Sequence, residues 1–211
     1  MKKNKLLIRI LLAFVGLSLS GAGVGIFLYS NLGVDPASAL TQGFGNVFNL
    51  RYGVMAAIIN IVILVIVFII DKKYVNVASI MAAFLIGFTA DLVSVLLPLL
   101  IVGQPPIMVR YVMILVGCTI MGLGIATYIR AELGIGAIDL VSEIISDKCK
   151  LTYRWVRIAG DVAFVVVGFF LGGELGVGTL VAALLTGPIV QLFRPLVRKI
   201  VDPLLAEKQR K

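Results

Sequence analysis

Long apolar stretches separated by short polar ones dominate the pattern of this chain. A bilayer core about 30 Å thick needs roughly 20 helical residues per crossing. Four apolar runs contain no charged residue, namely 10–34, 52–70, 111–129 and 175–193. Two further runs contain a single acid, namely 74–109 around Asp91 and the shorter 158–173 around Asp161. The pattern predicts six transmembrane helices, near 10–30, 53–70, 76–100, 108–130, 156–172 and 176–200.

Two shorter segments, 36–48 and 137–149, follow a different pattern. The polar residues of the first recur with the period of a helix, at Ser38, Thr41, Gln42, Gly45, Asn46 and Asn49. The second has polar residues at matching positions, Asp139, Ser142, Glu143, Ser146, Asp147 and Lys150. Both segments are too short and too polar to cross a bilayer. We predict short amphipathic helices that re-enter the membrane or lie at its surface, with their polar faces towards water or a cavity.

The matching stripes belong to an internal repeat. A displacement of 101 residues places Gly16, Gly21, Gly23 and Gly33 on Gly117, Gly122, Gly124 and Gly134, and Asn60 on Asp161. We expect the glycines within the spans to allow close helix packing. Each copy holds three predicted spans, so the second copy must enter the membrane from the opposite side.

The predicted fold is therefore an all-α membrane protein built from two three-helix repeats of inverted topology. The first repeat covers 1–105 and the second covers 106–211, and each has its short helix after its first span. Inverted repeats recur among transporters, whose sites lie near the membrane midplane where the repeats meet.

The basic residues orient the six predicted spans. Of the 19 Lys and Arg residues, 17 fall on one side of the membrane, and only Arg51 and Arg110 fall on the other. Lys and Arg are concentrated on the cytoplasmic side of membrane proteins, so both termini are predicted to be cytoplasmic. The net charge of +8 then reflects topology anchors beside an anionic leaflet. Nucleic acid is not an expected partner, because no groove-reading motif accompanies the charge.

Composition removes several kinds of chemistry. Apolar residues make up 60% of the chain and charged residues only 14%, and there is no histidine. Imidazole metal sites and histidine-based catalytic triads are thereby excluded. We expect no catalytic residues, no metal and no cofactor, and the sequence does not favour an enzyme.

Short glycine-rich motifs carry a resemblance to a known family. They are Leu32-Gly33-Val34-Asp35-Pro36 with Thr41-Gln42-Gly43, and Gly176-Val177-Gly178-Thr179 followed by Gly187-Pro188. The chain resembles the YczE/YyaS/YitT-type bacterial membrane proteins, and the YczE-like branch most closely. The resemblance implies a multi-pass protein of the bacterial plasma membrane with a transporter-like fold, and it implies no particular substrate.

Polar residues within or beside the spans are the candidates for a substrate or ion pathway. They are Asp35, Ser38, Thr41, Gln42, Asn60, Asp91, Asp139, Ser142, Glu143 and Asp161. Asp91 has no basic residue within two helical turns, and a carboxylate inside the bilayer costs roughly 2.5–3.5 kcal/mol. Simpler roles remain open for three acids. Asp91 would cap a helix near the outer interface, Asp161 would pair with Arg157, and Asp35 before Pro36 would be an N-cap.

The excess of carboxylates suggests the class of solute. No Lys or Arg is expected beside them in the membrane interior, which favours a cation, a protonated amine or a proton. The predicted function is a secondary transporter or channel for a small cationic or zwitterionic solute, with the lipid bilayer and that solute as partners. The sequence leaves open a homo-oligomer. The alternatives are a substrate-binding membrane subunit of a multicomponent uptake system and a non-transporting scaffold or regulator.

Overall fold

The computed structural model describes residues 2–101, 103 and 105–205, and these residues form eight α-helices and no strand. The helices are α1 (Lys2–Ser30), α2 (Pro36–Phe48), α3 (Tyr52–Asp71), α4 (Val77–Leu100), α5 (Ile107–Arg130), α6 (Ala137–Cys149), α7 (Tyr153–Phe170) and α8 (Val177–Leu205). The short helices α2 and α6 have the predicted bounds. The all-α prediction is confirmed for the described residues.

Five of these helices are long and apolar enough to cross a membrane, namely α1, α3, α4, α5 and α8. The other predicted span, 156–172, corresponds to α7. Helix α7 has 18 residues, and three of them, Arg154, Arg157 and Asp161, are charged. It is therefore not among the five helices that are apolar enough to cross a membrane.

Helices α1 and α5 are the most buried of the five and cross at glycines. A Cβ atom on Gly16 would lie 2.8 Å from the carbonyl oxygen of Gly124, and one on Gly23 would lie 2.6 Å from that of Gly117. Only glycine permits backbones to approach this closely. Gly16 comes before Gly23 in α1 but contacts Gly124, which comes after Gly117 in α5. The two helices are therefore antiparallel.

The remaining helices pack around this pair in matching positions. Helix α4 packs on α1, where Gly21 meets Ile86, and α8 packs on α5, where Gly122 meets Ile189. Helix α2 packs on α7 and α6 packs on α3. Each short helix is therefore held by a helix of the other half of the chain.

The two halves also repeat their backbone turns. Positive φ angles occur at Asn31 and Glu132, at Gly33 and Gly134, and at Asn49 and Lys150, always 101 residues apart. Gly33 has φ 99° and Gly134 has φ 112°, a region that favours glycine. The turns before and after each short helix therefore have the same conformation.

Two arginines cap the ends of α1 and α5. Arg110, near the start of α5, donates to the carbonyl oxygens of Ser30 and Asn31 at the end of α1. Arg9, near the start of α1, donates to the carbonyl oxygen of Ala131 at 3.4 Å and pairs with Glu132 at 3.0 Å. The last carbonyls of a helix lack intrahelical donors and carry negative partial charge, so a guanidinium stabilises them.

Candidate functional site

Arg157 on α7 binds two carboxylates. It donates to Asp139 on α6 and, at 3.2 Å, to Oδ2 of Asp161 one turn further along α7. The hydroxyl of Tyr128 on α5 also donates to Asp139 at 3.3 Å. The pairing of Arg157 with Asp161, which the sequence left open as the simpler role of this acid, is present. The expectation that these carboxylates have no basic neighbour is wrong, because the α6–α7 turn brings Asp139 onto the same guanidinium.

Asp35 brings a carboxylate from the first half of the chain to the same region. Its Oδ2 accepts from the backbone N–H of Ser38 at 3.3 Å and so caps α2. Its Oδ1 is buried and has no hydrogen-bond partner among the described residues. Its charge acts only weakly on Asp161, less than the burial of Asp161 and its pairing with Arg157 do.

Asp161 also has a buried oxygen that is incompletely satisfied. Its Oδ1 lies 3.2 Å from Nε of Arg157, but the geometry there is that of an ion pair without a hydrogen bond. With every group ionised, Asp139 and Asp161 outweigh Arg157 by one negative charge, and the charge of Asp35 adds weakly to this excess. Buried charge without a partner is costly, so the arrangement is suited to receive a proton or another cation.

The polar stripe of α2 contacts protein rather than open water. The hydroxyl of Ser38 lies 2.9 Å from that of Tyr52, and Thr41 donates to the carbonyl oxygen of Ala37 at 2.9 Å. Gln42 accepts from the backbone N–H of Glu174, before α8, at 2.8 Å. Ser38 and Thr41 are buried. The polar face was expected to line water or a cavity, and this is corrected for these residues because α2 packs against α7 and α3.

The matching polar residues of α6 have different surroundings from one another. Asp139 binds Arg157, and Ser142 is buried beside Gly160 of α7, where a Cβ atom on the glycine would lie 4.0 Å from the serine oxygen. Glu143 is half-buried one residue further on. The polar face of α6 thus contributes one carboxylate, that of Asp139, to the ion network that Arg157 forms with Asp139 and Asp161.

Among the described residues, Asn60 and Asp91 make no hydrogen bond or ion pair with Asp139, Arg157 or Asp161. Asn60 donates to the carbonyl oxygen of Ala56 on its own helix at 2.7 Å. Asp91 on α4 accepts from the backbone N–H of Gly53 at 2.9 Å, in the first turn of α3. The residue before α3, Arg51, makes no side-chain cap. Asp91 therefore supplies the cap of α3 from a neighbouring helix, which is the capping role that the sequence left open.

Asp91→Ala should lower the free energy of unfolding by about 1 kcal/mol, as loss of a helix N-cap does, and the melting temperature by about 2–4 °C. Asp91→Asn should keep most of the stability, because its amide oxygen can still accept from Gly53. Thermal unfolding of the purified protein in detergent measures both. Ser94→Ala is the control on the same helix, since among the described residues the hydroxyl of Ser94 bonds only the carbonyl of Ala90. Wild-type stability of Asp91→Ala would disprove the capping role.

Two large cavities lie at the ends of the molecule. One, of about 500 Å³, is bordered by Tyr29, Ser94 and Arg110. The other, of about 460 Å³, is bordered by Arg130, Arg194 and Arg198. Neither includes a candidate pathway residue.

Sequence reasoning did not find Tyr52 or Tyr128, and it assigned Arg157 only one of its two partners. The displacement of 101 residues places Tyr52 on Tyr153, and this match is its only signal in the sequence. Its hydroxyl bonds Ser38 and lies within electrostatic range of both Asp35 and Asp91. Tyr128 carried no sequence signal, because its role depends on the turn between α5 and α6, which brings Asp139 to its hydroxyl.

The packed apolar helices define a multi-pass α-helical membrane protein. The chain belongs to a family of unknown function, DUF6198, whose model matches residues 7–195.

Three relatives share most of the chain's length. The uncharacterized membrane protein YczE of Bacillus subtilis (strain 168) is 27% identical over 194 residues, covering 92% of this chain and 88% of the relative. The uncharacterized protein YyaS of the same organism is 25% identical over 185 residues, covering 88% and 92%. An uncharacterized protein of Haemophilus influenzae is 26% identical over 186 residues, covering 87% and 82%. These matches confirm the resemblance to the YczE-like membrane proteins. No solved structure matches the chain.

Proposed function

We propose that this protein is a secondary transporter or channel for a small cationic or zwitterionic solute. In this proposal it has six spans in the bacterial plasma membrane, with both termini cytoplasmic, and it has no catalytic role. The site lies between two inverted repeats and contains Asp35, Asp139, Arg157 and Asp161.

The α1–α5 crossing supports the inversion. The repeat displacement of 101 residues relates Gly16 to Gly117 and Gly23 to Gly124. Exchanging each residue for its repeat mate therefore turns the contact between Gly16 and Gly124 into the contact between Gly117 and Gly23. The same displacement relates Arg9 to Arg110. It also relates Ser30, whose carbonyl Arg110 caps, to Ala131, whose carbonyl Arg9 caps. Two equivalent helices that are antiparallel and exchange their contacts are related by an axis perpendicular to both. If they cross the bilayer, that axis lies in the membrane plane.

The surface of α7 supports a sixth span. Its 18 residues give a length of about 27 Å, close to the thickness of the hydrocarbon core. Exposed apolar side chains recur along one face, at Ile158, Val162, Val166 and Phe169. The charge of Arg157 is balanced within the protein by Asp139 and Asp161. A lipid-facing apolar stripe with the charges turned inward is typical of a spanning helix that borders a functional site.

The unpartnered Oδ1 atom of Asp35 is the observation that carries the transport proposal. Buried polar atoms in native proteins almost always have a partner, and exceptions require an explanation. Asp35 belongs to the first half, and Asp161, on which its charge has a weak electrostatic effect, belongs to the second. A cation or proton that enters between them would relieve the repulsion and bridge both halves, so its binding would depend on their relative position.

Asp35→Asn tests this proposal, because asparagine keeps the N-cap of α2 and removes the charge. Purified protein is first screened by thermal shift against small amines, amino acids and dicarboxylates, since a ligand of the folded state raises the melting temperature. Amines or amino acids should stabilise the wild type and dicarboxylates should not. The hits should be taken up by proteoliposomes that contain this chain alone. Asp35→Asn should reduce binding and uptake at least tenfold.

Asp71→Asn is the matched control. Asp71 also caps a turn, through the backbone N–H of Lys73, but it lies outside the site. Unchanged binding in Asp35→Asn would remove this carboxylate from the site. Binding without uptake would favour the subunit of a multicomponent system. If no solute class bound or was transported, the scaffold or regulator would be the better explanation.

A further inference from the structure

The turn between α7 and α8, residues 171–176, is bonded to the first half of the chain. The backbone N–H of Glu174 donates to Oε1 of Gln42 at 2.8 Å, and its carbonyl oxygen accepts from the N–H of Val34 at 3.4 Å. The amide of Asn46 donates to a backbone carbonyl oxygen of the turn at 2.6 Å. The turn is therefore attached to α2 and to the segment that leads into α2.

The side chain of Glu174 adds a charge-assisted bond to this contact. The amide nitrogen of Asn31, which follows α1, lies 2.7 Å from Oε1 and 2.8 Å from Oε2 of Glu174. This orientation of the amide places a donor at the carboxylate, whereas the opposite one would direct an oxygen at it. Arg110 fixes the backbone of Asn31 by donating to its carbonyl oxygen. A hydrogen bond to a charged acceptor is about twice as strong as a neutral one, so this bond dominates the side-chain contacts of the turn.

The turn covers a buried apolar cluster beside Asp35. Leu175 in the turn and Leu32 pack against this cluster, to which Val34 and Cys118 belong. Val34 and Cys118 are fully buried. Because Asp35 directly follows Val34 in the chain, the turn lies over the segment that carries this carboxylate.

Glycines give the turn both a close contact and a backbone that can hinge. A Cβ atom on Gly33 would lie 2.5 Å from the backbone nitrogen of Gly176, so no water fits between the two segments. Gly172 has φ 80°, in the region that favours glycine, and Gly173 follows it. Three of the six residues of the turn are glycine, and glycine changes its backbone angles at little cost. Short segments of this kind at the ends of helices serve as hinges.

The equivalent turn of the first half, residues 71–76, makes a matching contact with the second half. The N–H of Ala78 donates to the carbonyl oxygen of Leu133 at 3.1 Å, just as that of Gly178 donates to Leu32 at 2.8 Å. In an inverted repeat the two turns lie at opposite faces of the membrane. One closure at each face is what a site with alternating access requires.

We infer that the α7–α8 turn closes the outer entrance to Asp35 and that the bond between Asn31 and Glu174 holds it shut. The inference rests on the proposed transport function, which places this end of the molecule outside. The bonds of the turn join the two halves of the chain, so a change in the relative position of the halves must break them. Asn31 and Glu174 meet through their side chains, so they can separate and pair again without distorting a helix.

The two cysteines of the chain allow a test, because Cys118 lies in the covered cluster and Cys149 is exposed. Cys149→Ser removes the exposed thiol, and alkylation of Cys118 by a polar maleimide is then followed in the purified full-length protein. Asn31→Asp should raise the alkylation rate about tenfold, since repulsion between two carboxylates replaces a hydrogen bond to a charged group. Asn31→Asp with Glu174→Gln exchanges the acid and the amide, so it should restore the bond and the slow rate.

Asn49→Asp is the matched control, because Asn49 also has a positive φ, 53° against 50° for Asn31, and lies exposed at the end of α2. It should leave the alkylation rate at that of the parent Cys149→Ser protein. An unchanged rate in Asn31→Asp, or an equal rise in Asn49→Asp, would overturn the inference. An exchange variant as fast as Asn31→Asp would also overturn it.

A membrane-impermeant maleimide added to intact cells tests the side of the closure. It should label Cys118 of the Asn31→Asp protein from outside, and labelling only after the cells are disrupted would overturn the outer location. Neither assay needs a solute. A restored slow rate in the exchange variant would support the closure even if the solute screen failed, and only the transport proposal would then be refuted.

Discussion

Gly23→Ala is expected to lower the free energy of unfolding by about 3 kcal/mol and the melting temperature by about 6–12 °C. The added Cβ atom would lie 2.6 Å from the carbonyl oxygen of Gly117 and 2.7 Å from the backbone nitrogen of Met121. Both atoms belong to the α5 backbone, so no rotation of a side chain relieves the clash. The helices must separate, and the contacts along their crossing weaken. Thermal unfolding followed by size-exclusion chromatography measures the loss.

Gly160→Ala is the matched control within a helix. A Cβ atom there would lie 4.0 Å from the hydroxyl oxygen of Ser142, which is an ordinary van der Waals contact. Since alanine favours the helix over glycine, this variant should equal or exceed the stability of the wild type by up to about 1 kcal/mol. If both variants lost stability equally, the α1–α5 crossing would not be the cause. If Gly23→Ala behaved like the wild type, the close approach of the two helices would be refuted.

Arg157→Gln should also destabilise the protein by about 3 kcal/mol. The change leaves Asp139 and Asp161 without their shared cation, and removal of one member of a buried ion network leaves uncompensated charge. The side chain of Arg157 is 33% exposed, so this value lies at the lower end of the range for buried pairs. The melting temperature should fall by about 6–12 °C.

The triple variant Asp139→Asn, Arg157→Gln and Asp161→Asn separates charge from packing. It keeps the shapes of the two aspartates, shortens residue 157 as the single variant does, and removes the charges of Asp139, Arg157 and Asp161, so it should recover most of the stability that Arg157→Gln loses. Arg51→Gln, at an exposed arginine without a side-chain capping bond, should resemble the wild type. A triple variant as unstable as Arg157→Gln would attribute the loss to packing and contradict the electrostatic explanation.

Asp91 and Arg110 mark the limit of reasoning from the sequence. The sequence placed Asp91 within a span and left open whether it serves a pathway or a cap. Its partner, the N–H of Gly53, lies on another helix and becomes adjacent only when α3 packs on α4. Arg110 was assigned only to topology, but it caps the end of α1. Neither partner lies within a helical turn of the residue it bonds.

The sequence by itself determined the helices, because hydropathy and helical period depend on neighbouring residues. It predicted the bounds of α2 and α6 and the glycines at which spans approach closely. Only the tertiary structure decided which surfaces meet, and therefore which charges pair. It turned the polar stripe of α2 towards protein, joined Asp139 and Asp161 through Arg157, and left Oδ1 of Asp35 without a partner. Such pairings connect residues far apart in the chain, so their energies depend on the packing of whole helices and leave no periodic trace in the sequence.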